Sequence, residues 1–446
     1  MAVVAPLKAL RYDLRKTGGA ETIFTQPYDK ITPQMQKEYL SRSPYNLAHI
    51  IKGESRSTDT QQDNVYTRAA TSFRDWVAKG VLARQDKPAF YAYFQEFTAP
   101  GDAAGKKIVR KSFLGLGKLE DYDSHVIYRH EQTLSGPKVD RLELLRATRT
   151  HFEPIFLLYS NAEKRIEAVL NQHAAKPPEV EVKDEYGVTH RLWEINELEN
   201  IKAIQQAMQE KKLIIADGHH RYETALNFRR EYKAAHPDSS NQSCDFAIMA
   251  FVNMDSEGII ILPTHRLIAN VPNFNGPAFL AQASRYFRCR EYPFSPSEDI
   301  SAVSARLRKE MVSATGTPTI GVLFGDQASF FLLQWRQDVE KAPLMPDLLP
   351  VERELEVVLL HRILLANCLG MDDESVRNER FLTYVRAMEE GVKSVVEGSS
   401  QACFFLNHIG IDQIRDIAQA GRLMPQKSTD FYPKLLSGLV IFPLED

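Results

Sequence analysis

The chain has 446 residues, of which 43% are hydrophobic and 25% are charged. This composition excludes disordered, collagen-like and fibrous proteins and is typical of a globular protein with two or three domains. The formal net charge of −3, from 55 basic and 58 acidic residues, gives no electrostatic reason to expect nonspecific binding to nucleic acid or to an acidic membrane.

Cysteine usage and hydrophobicity indicate the compartment. The four cysteines lie far apart, which argues against a disulfide framework or a structural zinc site and is typical of a reducing cytoplasm. No apolar run approaches the roughly 18 residues that a membrane helix needs, and the first residues lack the pattern of a secretory signal. We therefore expect a soluble, cytoplasmic protein that binds neither membranes nor nucleic acid.

Helical and strand-like patterns alternate along the chain. In the first part, apolar residues recur at helical spacing within 61–80, and strand-like runs follow at 89–94 and 108–114. An apolar strand at 154–159 lies between predicted helices at 141–150 and 162–172. The predicted fold class is therefore mixed α/β.

The rest of the chain continues this alternation. The predicted elements are a hairpin of 176–187 with 189–195, a helix from Asn196 to residue 210, hairpins of 246–253 with 259–262 and of 319–324 with 329–335, and helices at 355–369, 388–397 and 411–420. Proline-containing segments near Lys176 and from Pro293 to Ser297 predict boundaries between three regions, 1–175, 176–292 and 293–446.

One segment concentrates ionisable residues at the end of a strand. The apolar run 213–216 is followed by Asp217, Gly218, His219, His220, Arg221, Tyr222 and Glu223, where a helix begins. A glycine permits a tight turn or the close approach of a ligand, and a helix N-terminus attracts anions. Arg221 adds a planar cation suited to bidentate binding of phosphate or carboxylate.

This segment has two interpretations, a capped helix with solvated polar residues or a site for an anionic ligand. Five ionisable residues within seven positions favour the site. His219 and His220 titrate near neutrality, whereas Asp217 and Glu223 are suited to act as a base or to bind metal or substrate. Adjacent histidines in regular backbone cannot both face one ligand, so one of the two is expected to be structural.

Two other segments combine histidine with charged residues near predicted strands. His130 and Glu131 follow a strand-like run and could supply a general base. Thr264, His265 and Arg266 follow the strand 259–262, where polar side chains are well placed to enter a cleft. The alternative is a surface hairpin in the first case and a satisfied strand-end histidine in the second.

Three further residues are candidates for ligand contact. Lys427 carries a cation that could contact an anion, and Asp29 and Asn46 could bind substrate. The strings Pro-Tyr-Asp and Pro-Tyr-Asn that contain the last two are more often turns whose side chains bond to nearby backbone.

The strand, the Asp-Gly-His-His-Arg box at 217–221 and the helix that follows resemble the phosphate-binding box of the ParB/sulfiredoxin-like superfamily. The resemblance covers about 40 residues and implies a core of this type within 176–292. Sulfiredoxins carry a catalytic cysteine after the glycine, where this chain has His219. The box is most similar to that of free-serine kinases.

A wider resemblance spans nearly the whole chain. Six ordered motifs resemble the uncharacterised family DUF1015: Gln26 to Ile31, Ser43 to Ile50, His130 to Thr133, Ala216 to Tyr222, Leu262 to Leu267, and Met424 to Lys434. This resemblance implies one unit in which the motifs could form a shared site.

Together these resemblances imply nucleotide-dependent phosphoryl transfer to a small hydroxyl-bearing metabolite such as free serine. The implied cofactors are Mg²⁺ and a nucleotide, ATP or ADP. The implied catalytic residues are Asp217, His219, His220, His130 and Glu131, with Asp217 or Glu131 orienting or deprotonating the acceptor. The residues implied for phosphate binding are Gly218, His219, His220, Arg221, Thr264, His265, Arg266 and Lys427; those for substrate are Asp29, Asn46 and Glu223. A phosphatase or nucleotide hydrolase and a non-catalytic nucleotide-binding module are the alternatives.

Overall fold

The computed structural model describes residues 1–101, 104–133, 135–295, 297–314 and 316–444. The chain divides into two compact units. Unit 1 consists of Met1–Arg129, Thr133–Ile260 and Phe431–Asp446, and unit 2 consists of His130–Gln132 and Ile261–Asp430. These units are drawn differently from the three regions expected from the sequence, and the three-region division stays a prediction.

Unit 1 is built on a large mixed sheet. The strands of unit 1 up to residue 260 are β1 (Val4–Ala5), β2 (Leu10–Tyr12), β3 (Leu82–Arg84), β4 (Phe90–Thr98), β5 (Lys107–Lys118), β6 (Ile127–Tyr128), β7 (Thr150–His151), β8 (Ile155–Tyr159), β9 (Val180–Lys183), β10 (Thr189–Ile195), β11 (Leu213–Asp217) and β12 (Phe246–Asn253). The main sheet has the order β6-β11-β8-β12-β5-β4-β10-β9, and β1 pairs with β5. Strands β8 and β12 are parallel, whereas β8 and β11 are antiparallel.

The helices of unit 1 contribute buried apolar residues that pack against the sheet. They are α1 (Pro33–Arg42), α2 (Ala48–Ile51), α3 (Val65–Ala78), α4 (Ser135–Thr148), α5 (Arg165–Ala174), α6 (Leu198–Met208) and α7 (His219–Ala235), with short 3₁₀ turns at Leu14–Lys16, Ala20–Thr22, Tyr122–Ser124 and Ser243–Asp245. Residues of α5, α6 and α7 pack with the sheet in one apolar cluster. Every residue of β8 is buried, as expected for a strand covered on both faces.

Unit 2 contains a separate antiparallel sheet. From residue 260 onward the elements are β13 (Ile260–Leu262), β14 (His265–Ile268), α8 (Gly276–Ala283), β15 (Phe287–Pro293), α9 (Ile300–Ser313), β16 (Thr319–Phe324), β17 (Ser329–Trp335), α10 (Pro350–Arg353), α11 (Glu356–Leu359), a π-helix (Leu360–Cys368), α12 (Asp373–Arg377), β18 (Leu382–Val385), α13 (Met388–Val396), β19 (Ala402–Phe405) and α14 (Ile411–Gln419). The sheet order is β15-β17-β16-β19-β14-β18. The chain ends with β20 (Asp430–Tyr432) and β21 (Phe442–Pro443), and β21 pairs with β7 in unit 1.

The mixed α/β fold class is confirmed, and most elements lie where their patterns predict them. The hairpin of β16 with β17 is present, and β4 pairs with β5. The predicted hairpin of 246–253 with 259–262 is wrong in its pairing. Strand β12 is instead an inner strand between β5 and β8, and its apolar run reflects partners on both sides.

Candidate functional site

The Asp-Gly-His-His-Arg box forms the junction between β11 and α7. The first four residues of β11 are buried, and the register against β8 shifts between Ile215 and Asp217, so that Asp217 lies opposite Phe156. A β-bulge of this kind redirects a side chain at the end of a strand and is common beside active sites. The strand–turn–helix arrangement predicted from the sequence is therefore present.

Gly218 is the residue that allows the turn. Its φ of 91° lies in the left-handed region, and it precedes the first residue of α7 without a side chain to cap the helix. A Cβ atom at this position would lie 3.1 Å from guanidinium atoms of Arg221. A residue with a Cβ atom at this position would therefore be strained in its backbone and would press against the guanidinium of Arg221.

Arg221 folds back from the first turn of α7 onto the turn that precedes it. Its Nη2 donates to Asp217 Oδ2 at 3.1 Å, and its Nη1 donates to the carbonyl oxygen of Pro154. The side chain is 12% exposed. Burial acts to lower the pKa of Arg221, but nearby carboxylates, of which that of Glu153 contributes most, outweigh burial and raise it.

Lys434 is the second cation on Asp217. Its Nζ lies 3.3 Å from Asp217 Oδ1, so that the two carboxylate oxygens each contact a different cation. We refer to Asp217, Gly218, Arg221 and Lys434 as the Asp217 cluster. All four residues belong to unit 1.

The backbone around Lys434 is fixed by side chains of β4 and β5. Arg110 donates to the carbonyl oxygens of Tyr432, at 3.2 Å, and of Pro433. Gln95 donates to the carbonyl oxygen of Lys434 at 2.8 Å and accepts from Arg110 Nε at 3.0 Å. Arg110 is fully buried, which lowers its pKa to about 10, and it therefore remains a cation at neutral pH.

A chain of buried polar groups continues beneath this segment. The Tyr93 hydroxyl accepts from the backbone N–H of Leu436 and lies 2.6 Å from His190 Nδ1. His190 Nε2 lies 3.1 Å from Asp184 Oδ2. Because every link is buried, these groups hold the segment after β20 in one position against the sheet.

The charge state of Asp217 follows from its neighbours. Burial acts to raise its pKa, but Lys434, Arg221 and Lys30 outweigh burial and hold the pKa well below its ordinary value. Asp217 is therefore an ionised carboxylate at neutral pH, and 23% of its side chain is exposed. A carboxylate with so low a pKa is a poor general base near neutrality and is better suited to orient cations.

The two histidines of the box differ in exposure. His219 is buried, and burial is the main cause that lowers its pKa to about 3. His219 is therefore neutral at physiological pH and offers no positive charge to a phosphate. His220 is half-buried and is the one of the pair that solvent can reach.

A buried carboxylate that the sequence patterns did not single out lies beside Arg221. Glu153 Oε1 accepts from the backbone N–H of Tyr28 at 3.0 Å and from the Ser437 hydroxyl at 3.3 Å. Its Oε2 lies 3.6 Å from Arg141 Nη1, and Arg141 lies over the Tyr28 ring at 4.0 Å. The Glu153 carboxylate therefore interacts electrostatically with two arginines, Arg141 and Arg221.

The predicted substrate residues are placed differently from one another. Asp29 is exposed and its charge raises the pKa of Arg221, so it lies near the Asp217 cluster. Asn46 is fully buried; its amide donates to the carbonyl oxygen of Thr22 and accepts from the backbone N–H of Ala48. The bond with Ala48 is a local turn contact, which is the structural alternative noted for this residue, and the bond to Thr22 ties the turn to a segment 24 positions earlier.

Glu223 lies among cations one helical turn after Gly218. Its carboxylate contacts Lys138 Nζ at 2.5 Å and Arg129 Nη1 at 3.2 Å, and it accepts from the Thr133 hydroxyl at 2.9 Å. These bonds tie α7 to α4 and to the end of β6. The arrangement favours a structural role for Glu223 over direct contact with substrate.

The remaining predicted residues lie in unit 2. Glu131 accepts from the backbone N–H of Lys427 and from the Thr429 hydroxyl, and His130 Nε2 lies 2.9 Å from the same hydroxyl. Lys427 has a left-handed φ of 57°. His130 and Glu131 thus hold the turn at 427–429 within unit 2, and their catalytic roles stay predictions.

Arg266 and its neighbours hold the same segment from β14. The guanidinium is buried and donates to the carbonyl oxygens of Thr264 and, at 3.1 Å, of Lys427. Burial lowers the pKa of Arg266 to about 10. His265 is also buried, its pKa is lowered to about 3, and its Nδ1 accepts from the backbone N–H of Leu406.

The sequence patterns missed Glu153, Arg110 and Gln95, and gave Lys434 only a minor place. Each of the four has at least one partner more than 60 positions away in the chain. The one available signal was the acidic residue before Pro154 at the start of a strand.

Two further properties bear on ligands and location. Among the described residues, no group of three or more His, Cys, Asp or Glu side chains is arranged to hold a metal ion. No helix in the described part of the chain has the length and apolar character needed to cross a bilayer.

Comparisons with known proteins give a family and distant structural likenesses. A family model described as "Protein of unknown function (DUF1015)" matches residues 4–358. No curated protein matches the chain.

Three solved structures are similar over most of their length. A free serine kinase in complex with AMP has 11% identity and a TM-score of 0.35, covering 70% of this chain and 89% of that one. SbnI with a C-terminal truncation from Staphylococcus aureus has 10% identity and a TM-score of 0.34, covering 74% and 87%. A conserved hypothetical protein from Pyrococcus furiosus has 11% identity and a TM-score of 0.33, covering 69% and 87%. At such low scores these likenesses carry no function over to this chain.

Proposed function

Because the chain belongs to the DUF1015 family, as its ordered motifs predicted, and that family is described only as of unknown function, we propose a function from the Asp217 cluster. The function is nucleotide-dependent phosphoryl transfer to a small hydroxyl-bearing metabolite. The observation that carries it is the meeting of Arg221 and Lys434 on Asp217, at a glycine turn that opens α7.

This arrangement suits a phosphate group for three reasons. The N-terminus of α7 has a partial positive charge and backbone N–H groups that lack partners within the helix. Arg221 presents a planar guanidinium and Lys434 a point charge, and both lie at the same turn. Lys30 adds positive charge, because it contributes to the low pKa of Asp217.

Each residue of the box has a distinct role in the proposed reaction. Arg221 and Lys434 bind the phosphates of the donor, and His220 contacts them from the solvent-facing side. Asp217 is ionised and orients the two cations, and His219 is neutral and packs in the core. Phosphoryl transfer depends mainly on positioning and charge neutralisation, so it does not require Asp217 to act as a strong base.

Magnesium fits this proposal through Asp217. Mg²⁺ is commonly bound by one or two carboxylates together with substrate phosphates, and Asp217 is an ionised, partly exposed carboxylate. The ion would supply further charge neutralisation. The resemblance of the box to that of free-serine kinases supports serine as the first acceptor to test.

Thermal-shift measurements with ATP, ADP and pyrophosphate, with and without magnesium, test the proposal. Nucleotide binding should raise the melting temperature of the wild type, and Arg221→Ala should abolish the rise. Arg230→Ala, on the same helix but exposed and paired with Asp121, is the matched control and should retain it. An absence of any shift at millimolar nucleotide would overturn the proposal.

Product analysis then separates the possible activities. ATP with serine should give phosphoserine and ADP. Formation of ADP without a phosphorylated acceptor would indicate a hydrolase, and binding without turnover would indicate a regulatory module.

A further inference from the structure

A cavity in unit 2 has the size of a small-molecule pocket and includes no residue of the Asp217 cluster. It has a volume of about 430 Å³, which is within the range of ligand pockets. Its wall is built from residues within 347–362, where α10, α11 and the start of the π-helix lie, from residues within 421–426, and from Gln132 and Val376. All of these residues belong to unit 2, so the cavity lies within one compact unit.

The charged side chains of this wall compensate one another. Arg422 Nε donates to Glu352 Oε2 at 2.9 Å, and Arg362 forms an ion pair with Asp347. Two cations and two carboxylates leave the wall without net charge. A charged ligand would have to compete with an existing partner for each of these groups, so the wall favours a neutral ligand.

Glu352 presents an unused acceptor to the cavity. Its side chain is only 5% exposed, and Oε2 accepts both from Arg422 and, at 2.7 Å, from the backbone N–H of Leu349. Oε1 accepts no hydrogen bond from any described residue and is not among the enclosed polar atoms, so it keeps accessible surface. Because Glu352 lines the cavity, this oxygen is available to a donor inside it.

Arg422 supplies a donor beside this acceptor. Its Nε is used by Glu352, and its Nη2 donates to the carbonyl oxygen of Asp347 at 2.7 Å. Its Nη1 makes no hydrogen bond to any described residue, and the side chain is 37% exposed. An unused acceptor and an unused donor therefore belong to two side chains that are bonded to each other.

His361 adds a neutral polar group from the first turn of the π-helix. Such helices are rare and are often found at functional sites. The side chain is half-buried, and burial is the main cause that lowers its pKa to about 3, so the ring is neutral at physiological pH. Nε2 is enclosed, whereas Nδ1 is not, and neither nitrogen makes a hydrogen bond to a described residue. Nδ1 is therefore one more uncharged hydrogen-bonding group on this wall.

Aliphatic side chains complete the wall. Leu348, Val358, Leu423 and Pro425 line the cavity together with these polar groups. A ligand with apolar faces and a polar edge therefore matches the cavity better than a ligand that is polar all round.

We propose that this cavity binds the base of a nucleoside, with Glu352 and Arg422 contacting neighbouring donor and acceptor groups on the edge of the base. A nucleobase is neutral, its faces pack on apolar side chains, and its edges carry N–H donors next to acceptors. The site is separate from the Asp217 cluster and does not rest on the proposed function.

Calorimetric titration with adenosine, guanosine, cytidine and uridine tests the proposal, because these probes carry a base but no phosphate. We expect at least one of the four to bind the wild type with a submillimolar Kd, and ribose to bind at least tenfold more weakly. No binding of any nucleoside, or ribose binding as tight as that of the best nucleoside, would overturn the proposal.

Two glutamate variants assign the binding to the cavity. Glu352→Gln keeps one oxygen for the bonds to Leu349 and Arg422 but replaces the free acceptor with an amide donor, so it should weaken nucleoside binding at least tenfold. Glu354→Gln is the matched control, because Glu354 is exposed, pairs with Lys341 and does not line this cavity. Unchanged binding in Glu352→Gln, or an equal loss in Glu354→Gln, would overturn the assignment.

A filled cavity gives an independent test if the Glu352 variant does not fold. Leu423 is half-buried at the cavity wall, so Leu423→Trp should block nucleoside binding. Val396→Trp places the same ring on an exposed position of α13 outside the cavity and should bind as the wild type does. Wild-type binding in Leu423→Trp would overturn the proposal.

Arg221→Ala separates this site from the Asp217 cluster. Nucleoside binding should be unchanged in Arg221→Ala, whereas binding of pyrophosphate, which has no base, should depend on Arg221 and not on Glu352. Nucleoside binding that is lost in Arg221→Ala and retained in Glu352→Gln would overturn the cavity assignment. Loss of pyrophosphate binding in neither variant would count against the Asp217 cluster alone.

Discussion

Lys434 Nζ lies 3.3 Å from Asp217 Oδ1, although 217 positions separate the two residues in the chain. The segment 431–446 of unit 1 thus supplies one of the two cations that contact Asp217, next to the Gly218 turn. No pattern around Asp217 itself indicates this partner.

Removing the Lys434 ammonium should weaken binding of phosphate-bearing ligands. Charge-assisted hydrogen bonds contribute about 2 kcal/mol, which corresponds to about a 30-fold increase in Kd. We expect this increase for ADP with Lys434→Met in calorimetric titration. Lys183→Met, an exposed lysine of β9, is the control, and a similar loss there would contradict the assignment.

Gly218→Ala should cost more stability than a glycine replacement at an open turn. Both the left-handed φ and the 3.1 Å approach of the Arg221 guanidinium oppose a Cβ atom at Gly218. Gly187 also has a left-handed φ, of 77°, but a Cβ there meets only Lys183 Cε at 3.8 Å. In urea unfolding we expect about 1 kcal/mol of destabilisation for Gly187→Ala and about 2 kcal/mol for Gly218→Ala. Equal losses would show that the guanidinium simply moves aside.

Gln95→Leu should destabilise unit 1 strongly. Gln95 Oε1 is the side-chain acceptor for Arg110, and its Nε2 bonds to the Lys434 carbonyl oxygen. The substitution leaves a buried cation short of an acceptor, which costs about 3 kcal/mol. Gln205→Leu removes one bond to the Val4 carbonyl oxygen and should cost about 1 kcal/mol in the same urea titration. A Gln95 variant as stable as the Gln205 variant would contradict the role given to Arg110.

The stability of the protein should fall as the pH is lowered from near 7 to near 5. His219 has a folded-state pKa of about 3, so the unfolded chain, with an ordinary histidine pKa, binds more protons in this range. Each such histidine removes up to about 1.4 kcal/mol of stability per pH unit below the ordinary pKa. Urea unfolding of His219→Gln should show a shallower pH dependence, and the exposed His125→Asn should keep the wild-type slope.

Glu131→Gln distinguishes a structural role from the catalytic role predicted from sequence. Its carboxylate accepts from the Lys427 N–H and the Thr429 hydroxyl, so the amide should destabilise the turn at 427–429 by about 1 to 2 kcal/mol. The exposed Glu340→Gln should have no effect on unfolding. Loss of turnover at unchanged stability would support the catalytic role instead.

Local patterns predicted the strand, turn and helix around Gly218 because each depends on neighbouring residues. The apolar run 213–216, the glycine and the helical spacing after it define β11, the turn and α7 without any distant partner. The same reasoning placed the helix after Asn196 correctly to within two residues, although the residue before its first turn is Glu197.

Partners far apart in sequence explain the remaining differences. Strand β12 was expected to pair with the next strand in the chain, but its partners β5 and β8 lie more than 80 residues earlier. The position of Glu153 before Pro154 is only a weak local signal, because the significance of this residue comes from Arg221 and Tyr28. The sequence around Asn46 was compatible with either a substrate contact or a turn, and the hydrogen bonds of its amide to backbone favour the structural role.

The attachment of the chain's final segment to β4 and β5 has a practical consequence. A fragment that stops before residue 430 would retain the whole Asp-Gly-His-His-Arg box and yet lack one of its two cations. It would also leave the buried Arg110 without the two carbonyl oxygens that it binds. The Asp217 cluster would be incomplete in such a fragment, so an absence of activity in the fragment would not show that the intact protein is inactive.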